Sequence, residues 1–213
     1  MKFLRFIFTL ISIIAIGIQI YVDYMPDLAF GLRQRLFVVC VEVIGFCIAY
    51  FIGRKKWNKA KRKKYFRVLM IGLFAIYLSN LIYLLFIDGG LGRQLRFLDS
   101  LDDYVSENVN LIPFHTIMLY VNCYKMGTLS MRLIIINLVG NIVAFVPMGF
   151  FVAYLFKHER KFRIFFLTMT FIILLIEFTQ VYTMTGSGDI DDYILNMIGC
   201  LIGFIMVKIF KRK

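Results

Sequence analysis

Apolar residues along this chain come in long unbroken runs, without the 3.6- or 2-residue alternation of an element that keeps one face wet. Five runs reach the length needed to cross a hydrocarbon layer, about 20 helical residues. They are Phe3–Val22, Leu36–Ile52, Val68–Ile87, Leu133–Phe156 and Ile164–Tyr182. A sixth, Tyr193–Phe210, keeps the length but carries Asn196, Gly199, Gly203 and Lys208. The pattern predicts an all-α, polytopic transmembrane helix bundle of six spans. With no Ser/Gly-rich or Pro-rich linker and no internal repeat, residues 1–213 are expected to form a single membrane domain. Lys2 and Arg5 ahead of the first run imitate a signal peptide, but the run is too long and no small-residue cleavage site follows, so a retained anchor is expected.

Composition agrees with this reading. At 61% hydrophobic and 18% charged, the chain has too little polar surface to cover itself in water. The formal charge of +12 raises the question of nucleic acid, yet the bases sit at the ends of the runs. With both termini placed in the cytoplasm, 19 of the 25 Lys and Arg fall on the inner face, nine of them between Arg54 and Arg67, while ten of the 13 acids fall outside. That asymmetry is the positive-inside pattern, so the basic loop is expected to set orientation and touch anionic lipid, and nucleic acid is excluded as a partner. The cysteines, Cys40, Cys47, Cys123 and Cys200, show no metal-type spacing and read as small packing residues.

The one long connection, Asp88–Arg132, lies on the outer side in this topology. Leu95, Leu98 and Leu101 have the spacing of a short helix lying on the membrane surface. In LIPFHT, Pro113 ends any preceding helix and forces Ile112 into an extended or turning path, which predicts an interfacial or re-entrant loop.

Polar side chains inside the spans are costly, so their depth is informative. Glu42, Ser79, Asn80, the pair Asn137 and Asn141, the pair Glu177 and Gln180, and the stripe Asp192, Asn196, Gly199 and Gly203 all fall in the outer halves. Such placement predicts a polar chamber open to the outside over an apolar floor. A transport path would need polar groups in the inner halves too. Asparagines can also serve as glue between helices, and the two glycines as close-packing points. No base lies in the span at the level of Glu177, so a shared proton or a cationic ligand group is expected there. Asp189, Asp191 and Asp192 in the turn GSGDIDDY exceed what one helix cap requires. No Ser/His/Asp spacing, zinc-helix motif or phosphate-cradling glycine loop occurs. No cofactor is expected and no metal site is assigned, although the aspartates together with Glu177 could hold a hard divalent cation, and catalysis stays an open alternative in which Glu177 and the aspartates modify a lipid.

Four stretches together, NVNLIPFHT (Asn108–Thr116), NLVGNIVAFVPMGF (Asn137–Phe150), EFTQVYT (Glu177–Thr183) and GDIDDYILNMIGCLIG (Gly188–Gly203), resemble the VanZ-like family of small bacterial membrane proteins, named for an accessory factor in teicoplanin resistance. The resemblance covers a core of residues 108–203 in the family's order. Gly186–Gly188 stands where the family usually has an arginine before the aspartate turn. By position, the resemblance implies a shared site at Asn110, Pro113, Phe114, Asn141, Pro147, Glu177, Gln180, Asp189, Asp191, Asp192 and Asn196, to which Asn137 adds its place on the face of Asn141. It implies a plasma-membrane protein that lowers susceptibility to glycopeptide and lipoglycopeptide antibiotics, in contact with membrane lipids, a lipid-linked wall precursor or the lipoglycopeptide itself. It supplies no reaction.

The topology is open to direct test. In a variant whose four cysteines are serine, Lys61→Cys should resist an impermeant thiol reagent applied to intact cells, and Ser106→Cys should react. Labelling at position 61 would contradict a cytoplasmic basic loop.

Overall fold

The computed structural model describes residues 2–25, 31–87 and 101–211. Six of its helices are long and apolar enough to cross a membrane. They are α1 (Lys2–Tyr24), α2 (Leu32–Arg54), α3 (Lys59–Phe86), α6 (Met131–Leu155), α7 (Phe162–Tyr182) and α8 (Ile190–Lys211), with two shorter helices, α4 (Leu101–Asn108) and α5 (His115–Lys125), between α3 and α6. Among the described residues the fold is all-α apart from one pair of two-residue strands, and the chain is a multi-pass membrane protein. The surface helix expected around Leu95 and Leu98 lies outside the described residues.

The chain divides into two compact units, residues 1–80 and 81–213. In the first, α1 and α2 pack closely because Gly45 has no side chain: a Cβ there would fall on the Ser12 hydroxyl. That hydroxyl lies 3.2 Å from the Phe8 carbonyl and 3.0 Å from the Glu42 carbonyl, so one small polar residue joins the two helices. Asn58 caps α3, its side-chain oxygen accepting the Lys61 amide at 2.9 Å. At the other end of this unit, Arg35 pairs with Asp23 and donates to Asn80 at 3.1 Å, and Gln19 donates to the same Asn80 oxygen at 3.3 Å. Arg35, counted on the outer face in the charge inventory, lies in the first turn of α2 and is buried, its fork meeting a carboxylate and an amide from neighbouring helices. Glu42 is buried in the same unit, 1% exposed.

In the second unit α6 and α8 form the principal contact and run the same way. Three glycines allow it. A Cβ on Gly199 would strike the Ile142 carbonyl, one on Gly203 the Val146 carbonyl, and one on Gly149 the backbone of Cys200. Backbones this close gain van der Waals contact that lipid tails cannot supply. Pro147 sits inside α6 without ending it. α7 returns the chain between them and buries a stripe, Phe165, Met169, Ile173, Glu177 and Gln180, at helical spacing. Phe165 meets Phe204 of α8 at 4.6 Å between ring centroids. Strands β1 (Val109–Asn110) and β2 (Gly188–Asp189) pair in parallel, Val109 opposite Gly188 and Asn110 opposite Asp189.

This packing makes a quantitative prediction. Gly199→Ala pushes a methyl into backbone and should destabilise the purified protein by about 1–3 kcal/mol. Gly140→Ala, on α6 where a Cβ meets nothing within 4 Å, should stay within about 0.5 kcal/mol of wild type. Thermal unfolding in detergent checks both, and equal effects would contradict the crossing described.

Candidate functional site

The site is built where the segment after α4 meets the start of α8. Asn110 ends β1 and folds its own chain back, its oxygen accepting the Ile112 amide at 3.1 Å as an Asx turn. Its amide nitrogen donates to Asp189 and to the Thr116 hydroxyl, each at 3.2 Å. Asp189 in turn accepts the backbone N–H of Asp191 at 2.9 Å, which makes it the N-cap of α8. One short polar chain thus joins two segments 79 residues apart in sequence.

Ile112–His115 form a tight turn, closed by the His115 amide on the Ile112 carbonyl at 3.3 Å. Pro113 supplies the fixed φ of the second turn position, and Phe114 occupies the third with φ 65° and ψ 5°. That left-handed conformation normally goes to glycine and costs a side-chain-bearing residue about 1–2 kcal/mol. Asp191 holds it in place. Its two carboxylate oxygens accept the amides of Phe114, at 2.5 Å, and Ile117, at 3.1 Å. Asp191 is 1% exposed, so these charge-assisted bonds replace its water. The ring of Phe114 remains exposed, as do Leu111, Ile112, Met118 and Leu119 around it.

Asp192, the third acid, faces another way. It is half-buried and accepts from the Asn141 amide of α6 at 2.5 Å. Tyr120 of α5 lies in its field: burial first, then Asp192 and Asp189, push the Tyr120 phenol above its ordinary 10.0. The sign is that of a neutral acid favoured by folding. Its contribution to stability is complete below about pH 10 and is lost as pH rises through the raised value. Four residues along α8, Asn196 is buried, and its side-chain oxygen has no hydrogen-bond partner among the described residues.

The residues singled out from sequence therefore fall into distinct settings. Asn110, Pro113, Phe114, Asp189 and Asp191 build the turn. Asn141 and Asp192 form a pair, and Asn137 is half-buried four residues before Asn141 on α6. Gln180 is buried on α7 and donates to the Leu85 carbonyl at 3.1 Å, while its own carbonyl accepts the Thr185 amide at 2.9 Å and the Gly186 amide at 3.3 Å. Glu177, 8% exposed, sits on the same buried stripe nearly one turn earlier. Gly186 fits this corner because a Cβ would come to 2.9 Å from the Gln180 amide nitrogen. Among the described residues no group of three or more His, Cys, Asp or Glu is placed to hold a metal ion.

Sequence reasoning passed over three elements of this site. LIPFHT, expected as an interfacial or re-entrant loop, leads directly into α5, a helix to which the sequence reading assigns no element. Tyr120 is reached only through that helix. Tyr104 of α4, 5% exposed, donates its hydroxyl to the Gly186 carbonyl at 3.0 Å and ties α4 to the turn before β2. The apolar positions Ile117, Tyr120 and Tyr124 at helical spacing were the available signal.

The family model described as VanZ/LLP1 matches residues 74–211. No curated protein and no solved structure matches the chain.

If Asp191 holds the turn, Asp191→Asn, which leaves one acceptor oxygen for two amides, should cost about 2–3 kcal/mol. Hydrogen exchange at the Phe114 and Ile117 amides should accelerate with it. Unchanged exchange at both would contradict the assignment.

Proposed function

We propose that this chain, which belongs to the VanZ/LLP1 family, acts at the outer leaflet of the bacterial plasma membrane by engaging an amphiphile, a lipid-linked wall component or a lipoglycopeptide, and so lowers susceptibility to glycopeptide antibiotics. Both termini lie in the cytoplasm in this reading. The observation that carries it is the Asn141–Asp192 pair lying beside Tyr120, on α5, whose own surface is apolar and exposed. An amphiphile presents the same two surfaces, a hydrogen-bonding head and an apolar tail. Phe114, fixed by the turn with its ring uncovered, supports tail contact, since an exposed, positioned aromatic ring presents apolar surface to a partner. The oxygen of Asn196 supplies a further acceptor deeper along α8.

Asp189 is committed to capping α8 and Asp191 to holding the turn, so the ligand is assigned to Asp192, half-buried beside Asn141, and to Glu177 on the buried stripe of α7. This assignment favours binding over a reaction driven by the whole acidic turn. Turnover of a lipid by the purified protein would move the reading to an intramembrane enzyme.

Expression of the protein should raise the inhibitory concentration of a lipoglycopeptide. Asp192→Asn and Glu177→Gln keep shape and hydrogen-bonding groups while removing charge, so both should return susceptibility to that of cells without the protein. Glu42→Gln, outside the matched residues, should be milder. Broth-dilution assays at matched membrane abundance decide. Full activity of Asp192→Asn and Glu177→Gln would sink the proposal.

A further inference from the structure

A second built feature lies in the first unit, outside the family-matched residues. Between the start of α1 and the end of α2 is a cavity of about 500 Å³ lined by Lys2, Arg5, Phe6, Ile52, Lys56 and Trp57, together with Thr9 and Gly53. Three cations and no carboxylate line it. Trp57 stacks on Tyr65 with centroids 4.2 Å apart. The Arg5 guanidinium carbon stands 4.8 Å from the Trp57 ring centroid and 5.1 Å from that of Tyr65. Gly53 permits the arrangement, because a Cβ there would run into the indole.

A guanidinium set against aromatic rings has its position fixed without a carboxylate, and its N–H fork matches a phosphate. Lys2 and Lys56 add positive charge on the same cavity. Phe6 and Ile52 belong to helices long and apolar enough to span the bilayer, so the wall that continues from the cations is apolar. A soluble phosphate has no use for that wall, whereas a phospholipid does.

We propose that this cavity binds an anionic phospholipid, its phosphate on Lys2, Arg5 and Lys56 and the upper part of its acyl chain along Phe6 and Ile52. This is a site for one lipid, distinct from the diffuse attraction of the basic loop to a charged surface.

Trp57 is the only tryptophan in the chain, so its fluorescence reports on this cavity alone. The full-length protein is placed in phosphatidylcholine nanodiscs that contain the same mole fraction of either phosphatidylglycerol or phosphatidylcholine brominated high on the acyl chain. The site predicts several-fold stronger quenching by the brominated phosphatidylglycerol. Lys2→Gln combined with Lys56→Gln, both at exposed positions, should abolish the preference with the unquenched spectrum intact. Arg5→Gln should also abolish the preference, measured against that variant's own unquenched spectrum because Arg5 lies 4.8 Å from the indole centroid. Lys63→Gln with Lys64→Gln, an equal loss of charge outside the cavity, should leave it in place. Equal quenching by the two lipids, or equal effects of the two double variants, would overturn the proposal. Competition by glycerol 3-phosphate as effective as that of the intact lipid would also overturn it, by showing a site for free phosphate.

Discussion

The carboxylate of Asp191 is the constraint on which the second unit is arranged. A buried acid must have donors or lose its charge. Asp191 has two, the backbone amides of Phe114 in the turn and of Ile117 in the first turn of α5, 77 and 74 residues earlier in the chain. Meeting that need brings Asn110 opposite Asp189, starts α5 at His115 and holds Phe114 in a backbone region that side-chain-bearing residues avoid. It also puts negative charge in the first turn of α8, where the helix dipole favours it.

Three neighbouring acids thereby do different work. Asp189 caps, Asp191 anchors, and Asp192 points toward α6, where Asn141 meets it. Adjacent residues on a helix diverge by about 100°, so a run of acids in the first turn need not share a ligand. The glycine contacts between α6 and α8 keep Asn141 within reach, because they leave little freedom for the helices to separate. Tyr120 is then buried in the field of two carboxylates, and burial first, with that charge after it, raises its phenol above the ordinary value.

Much of this was legible in the sequence, for reasons that differ by residue. The six spans stand out because lipid leaves no alternative for runs of that length. The neighbourhood of α7 and α8 followed from the short turn between Tyr182 and Ile190, and the shared face of Glu177 and Gln180 from their spacing of three. The motifs led to the family that the match over residues 74–211 shows. α5 was harder to see. HTIMLYVNCYK has 11 residues, too few for a span, and the proline before it reads as a helix terminator when its turn instead launches a helix. The β1–β2 pair is two residues long and specified by side-chain bonds across 79 positions, which no local pattern records. Nothing local marks Arg35 as buried, because its partners, Asp23 and Asn80, lie on other helices.

The central claim is that α5 and the Asn141–Asp192 pair receive an amphiphile. Hydrogen–deuterium exchange of the full chain in nanodiscs, with and without added teicoplanin or a lipid-linked wall precursor, tests it most directly. The account predicts that one of these compounds slows exchange across residues 111–125 and the first turn of α8. Exchange there that is unchanged by both, at concentrations where the protein alters susceptibility, would contradict it.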